Sequence, residues 1–92
     1  MFIHIFSFRW KQGVTERQKQ RVFDEVNALK DSIPGILDSA AGFNTSTRGQ
    51  GYEFGGIMKF PDRAAYNAHP VHQQLLTWLL PLIDPMELDF EI

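Results

Sequence analysis

Three histidines and one tyrosine are the side chains in this sequence best suited to moving a proton. His72 stands two residues after Pro70. Proline fits the first position of a helix, which puts His72 in a first helical turn. The positive end of the helix dipole disfavours an imidazolium there, so the ring stays neutral near pH 7. A neutral, partly buried imidazole is suited to act as a general base; the same position also fits a core histidine held by one hydrogen bond. Tyr66 lies on a short helix just upstream, where its hydroxyl either serves a carbonyl or phenolate oxygen or tips an aromatic packed at a helix end. His4 shares a strand face with Phe2, Phe6 and Phe8. A polar group on such a face needs a partner or a cavity, so His4 either lines a pocket or bonds to backbone. His69, directly before proline, reads as a cap or surface residue.

Other chemistries fit poorly. His69 and His72 have an H-x-x-H spacing, but two histidines do not make a zinc site, and no carboxylate has an obvious place beside them. No metal or cofactor is therefore expected. Arg48-Gly49-Gln50-Gly51 lacks the Lys-Ser/Thr and the following helix of a phosphate loop. No Ser/His/Asp arrangement stands out, and the absence of cysteine removes thiolate chemistry and disulfides.

These residues must be positioned by a small number of elements. Phe2 to Arg9 read as a strand that is apolar on both alternating faces, with Ile3 and Ile5 opposite the phenylalanine set. Thr15-Glu16-Arg17-Gln18 is a capping-box pattern. Val22, Val26, Leu29 and Ile33 continue it as one helical stripe, widened by Phe23, and Pro34-Gly35 ends the helix. A weakly patterned strand over about Ile36 to Thr45, a Gly-containing hairpin loop from Thr47 to Gly51 and a third strand from Tyr52 to Phe60 follow. Pro61-Asp62 opens a short helix through about Ala68. A second helix starts at Pro70 and carries Val71, Leu75, Trp78 and Leu82 beside His72, Leu76, Leu79 and Ile83, with Pro81 ending or kinking it. Met86, Leu88, Phe90 and Ile92 then alternate with Glu87, Asp89 and Glu91 in a last strand. The order β-α-β-β-α-β predicts a ferredoxin-like α+β fold: a split βαβ arrangement with a four-stranded antiparallel sheet and helices on one face.

Ninety-two residues suit one domain over 1–92. A chain of this length buries only about 60–65% of its unfolded surface. Without disulfides, self-association is the expected aid to stability. A first strand buried on both faces needs a layer on each side, and the helices supply one only, so a homodimer is expected. A hydrophobic content of 43% argues against disorder, and the scattered Lys and Arg with a net charge of −2 argue against a nucleic-acid partner. The most apolar stretch, Leu75 to Ile83, is interrupted by Thr77 and Pro81 and too short to span a bilayer. No signal peptide is read at the N-terminus, and a cytoplasmic location without a membrane partner is expected.

Several short segments together resemble the stress-responsive dimeric A/B barrel (Dabb) family over nearly the whole chain. They are His4-Ile5, Phe8-Arg9-Trp10-Lys11, Ile33-Pro34-Gly35, Gly42-Phe43-Asn44, Gly51-Tyr52, the run Tyr66 to His72, and Asp89-Phe90. The resemblance implies a homodimer whose sheets meet face to face as a barrel, and a cavity between sheet and helices in each subunit. A plant polyketide cyclase of this family implies His72 as base, Tyr66 as acid or orienter, and His4 as pocket wall. That cyclase has a further pocket histidine where this chain has Phe54, so Phe54, with Met58 and Phe6, is expected to make an apolar substrate surface. The expected function is binding of a small, largely apolar carbonyl or aromatic compound, with cofactor-free His/Tyr acid–base chemistry of the cyclase or isomerase kind. The competing expectation is a non-catalytic, stress-responsive dimer whose cavity is filled by side chains.

Overall fold

Aromatic and β-branched residues favour a pleated, half-buried strand. In the computed structural model they form β1 (Phe2–Trp10). The structure describes residues 1–67 and 70–92, and the side chains of all of these except 70–73. α1 (Glu16–Ser32) starts at the predicted capping box. Thr15 Oγ1 accepts from the Gln18 N–H at 3.1 Å, and the Thr15 N–H donates to Gln18 Oε1 at 2.8 Å. Val22, Val26 and Leu29 form the buried stripe of α1. Gly35, with φ of +82°, takes the left-handed conformation that turns the chain away after it.

β2 (Asp38–Phe43) and β3 (Phe54–Phe60) are shorter than the sequence pattern suggests. Between them, Asn44 bonds through its side chain to the Tyr52 carbonyl at 2.7 Å, so the ends of the predicted strands belong to an ordered loop. α2 (Arg63–Asn67) and α3 (Pro70–Leu79) follow. α3 ends just before Pro81, which lies in a 3-10 turn over Leu80–Leu82. β4 (Ile83–Glu91) begins earlier than the alternation from Met86 implied. The 3-10 turn passes the chain directly into pairing, with Ile83 opposite Trp10 and the Lys11 N–H donating to the Leu82 carbonyl at 2.8 Å. Pro85 is tolerated because β4 is an edge strand.

The four strands lie in the order β2-β3-β1-β4, antiparallel throughout. This is the expected ferredoxin-like α+β architecture. Register divides the sheet into two faces. Phe2, His4, Phe6 and Phe8 of β1 align with Phe60, Met58, Gly56 and Phe54 of β3. This face carries the helices and holds the core, which includes Val22, Val26, Leu75 and Leu79. The outer face carries Ile3, Ile5 and Ile57, with Met86, Leu88 and Phe90 alongside on β4. No helix among the described residues is long and apolar enough to cross a membrane.

Candidate active site

Strand alternation sends His4 into the space between sheet and helices, where it is 2% exposed. A buried imidazole there must be hydrogen-bonded, and the partner is a carboxylate: His4 Nδ1 lies 2.5 Å from Asp89 Oδ1. The β1–β4 register sets His4 directly opposite Asp89. The expectation that no carboxylate stands beside the histidines is therefore corrected. The two residues are 85 apart in sequence, and only the return of β4 alongside β1 joins them. A carboxylate accepts, so Nδ1 carries the hydrogen of this bond.

Tyr66 closes over this pair. The turn into α2 is held by Asp62, whose Oδ1 accepts from the Ala65 N–H at 2.8 Å. That places Tyr66 with its ring centroid 4.9 Å from His4 and 5.0 Å from Phe2. Burial pushes the Tyr66 hydroxyl up to about 12 from 10.0; the carboxylates of Glu87 and Asp89 add to the rise, and Arg63 opposes it. The hydroxyl is thus a donor that keeps its proton at neutral pH.

The cavity next to His4 is small, about 30 Å³. That is room for about one or two waters. Phe6, Met58, Leu75, Leu79 and Glu87 are among its walls. Of the residues expected from sequence, His4, Phe6 and Met58 share this cavity, and Tyr66 packs against His4. Phe54 is fully buried and faces the helices, but it sits at the other end of β3, stacked on Phe8 at 5.7 Å. His69 lies outside the described residues. His72 occupies the first turn of α3, and its side chain lies outside the described residues, as does any convergence with Tyr66.

Sequence reasoning missed Asp89 and Glu87. The signal was present in the alternation of Glu87, Asp89 and Glu91 against Met86, Leu88 and Phe90, which shows two faces without showing which meets the helices. The acidic set faces them. No group of three or more metal-ligating side chains occurs among the described residues.

The fold has many solved counterparts. A protein from Arabidopsis thaliana superposes with a TM-score of 0.84 at 22% identity, covering 100% of this chain and 95% of that one. A dimeric ferredoxin-like protein of unknown function from Thermobifida fusca gives 0.84 at 26% identity, covering 99% and 90%. A hydroxynitrile lyase from Passiflora edulis gives 0.88 at 16% identity, covering 99% and 92%. No curated protein sequence matches the chain. The sequence signature of the stress responsive A/B barrel domain spans residues 2–92, and the chain belongs to that family, Dabb.

Proposed function

We propose that this protein is a homodimer that binds a small, largely apolar carbonyl or aromatic compound between sheet and helices, and that it catalyses cofactor-free acid–base chemistry there. The observation that carries this reading is the buried His4 imidazole, hydrogen-bonded to the partly exposed Asp89 carboxylate and packed against the Tyr66 ring. Asp89 fixes the imidazole and compensates the positive charge that forms when Nε2 takes a proton. Tyr66 supplies a neutral O–H for a carbonyl oxygen that gains negative charge in the same step. Proton removal next to a carbonyl, as in an aldol-type cyclisation or an isomerisation, needs both groups.

This reading gives His4 a larger part than the family resemblance does. There it is a pocket wall and His72 is the base. The two assignments separate by mutation. A general base or acid contributes about 10²–10⁴-fold to rate. A panel of small aldehydes, ketones and phenols is screened for ligands that raise the melting temperature, and each ligand found is assayed for turnover. His4→Gln and Asp89→Asn are expected to lose turnover together if His4 is the base. Loss in His72→Ala alone returns the role to His72. The cavity volume of about 30 Å³ favours a second reading, a non-catalytic dimer with a filled interior. A wild-type melting temperature that no compound shifts decides for it.

A further inference from the structure

The cavity beside His4 is apolar along its buried wall and acidic at its rim. Among its described lining residues the ionisable groups are His4 and Glu87, and there is no lysine or arginine. Glu87 lies opposite Phe6 in the β1–β4 register, two residues before Asp89, so both carboxylates project from the helix-facing side of β4. Its side chain is exposed yet lines the cavity, which places it at the mouth. It forms no ion pair among the described residues. His4 is already paired with Asp89, so even a protonated imidazole offers an incoming anion no net positive charge. The charge of Glu87 is felt inside, where with Asp89 it helps keep the Tyr66 hydroxyl protonated.

We propose that Glu87 sets the charge selectivity of the site: the cavity admits an uncharged carbonyl compound and turns away the carboxylate of the same shape. This rests on the reading that the cavity takes a ligand, and it narrows the ligand class to neutral carbonyl compounds. A carboxylate at a solvent-facing rim is screened by water and salt. The expected discrimination is therefore on the order of five- to tenfold, well short of what a dry site gives.

The test uses formamide and formate, which share a shape, differ in charge and are of a size suited to a cavity of about 30 Å³, titrated into the full chain at pH 7 and low salt. Binding is followed by the amide NMR shifts of His4, Phe6 and Leu79. Wild type is expected to bind formamide about fivefold or more tightly than formate. Glu87→Gln keeps the size and removes the charge; it should raise formate affinity about fivefold and leave that of formamide unchanged. Raising NaCl to 0.5 M should narrow the wild-type ratio and leave that of the variant unaltered. Equal affinities in wild type, or a ratio unchanged in Glu87→Gln, overturn the role of Glu87 while leaving ligand binding intact. If neither compound shifts the three signals, the ligand reading itself fails and the selectivity falls with it.

Discussion

At the scale of residues, Tyr66 has a titration signature of its own. Its folded-state pKa of about 12 exceeds the ordinary 10.0, because burial and two carboxylates disfavour the phenolate. Between those values the folded chain holds a proton that the unfolded chain has released. The contribution to stability is complete below pH 10 and is lost as pH rises through 12. Urea unfolding at pH 9, 10 and 11 should show wild type losing stability more steeply than Tyr66→Phe. Equal slopes would mean that the hydroxyl is not buried against Glu87 and Asp89 in solution. The same neighbourhood shows where sequence reading stops. His4 could be picked out because a polar side chain among phenylalanines on one strand face is a local conflict visible in eight residues. Asp89 could not, since its place beside His4 depends on the pairing of the first strand with the last.

At the scale of elements, the sequence marks where each element lies, and strand pairing decides where it ends. α1 was legible because the Thr15 cap and the Val22, Val26 and Leu29 stripe both lie within one stretch of chain. β2 was legible as a strand but not in its bounds, because Ser39, Ala40, Ala41 and Gly42 carry no alternation, and its ends are set by its ladder to β3. Of the three glycines in the strands, Gly56 has the least room for a side chain. An added Cβ would lie 2.6 Å from the Ala40 carbonyl oxygen, 2.6 Å from Phe6 Cζ and 2.8 Å from Ala41 Cβ. The carbonyl belongs to the neighbouring strand and cannot turn aside as a flexible side chain would. Gly56→Ala should therefore destabilise the fold by about 1–3 kcal/mol, although alanine ordinarily suits a strand better than glycine. A shift of the urea midpoint to lower concentration checks this. Gly42→Ala, where the new Cβ would meet nothing within 4 Å of the same chain, is the comparison that isolates the clash.

At the scale of the whole molecule, the outer sheet face remains to be covered. An antiparallel sheet with one solvated face usually alternates apolar-in and polar-out. Here Ile3 pairs across to Phe90, and Ile5 to Leu88 and Ile57, so the outward side is apolar over β1 and β4 and turns polar only where the Ile3 row reaches Lys59 and Asp38. Met86, Leu88 and Phe90 are 50%, 58% and 40% exposed in the isolated chain. Next to them the row Gly42, Gly55 and Ser7 offers little side chain, leaving an open depression of about 540 Å³ on this face. A patch of ridge and hollow on one surface suits pairing with its own copy about a two-fold axis. Ile5 lies in the middle row, between Ile57 and Leu88, where a second sheet would meet it. Ile5→Glu should put an uncompensated charge in that contact and shift the protein from dimer to monomer, with a loss of melting temperature that depends on concentration. Light scattering on both proteins at micromolar concentration gives the masses. A dimeric wild type and a monomeric variant support the pairing. A wild type that scatters as a monomer removes the second layer from the account, and the exposed row on β4 then has to be explained by a different partner.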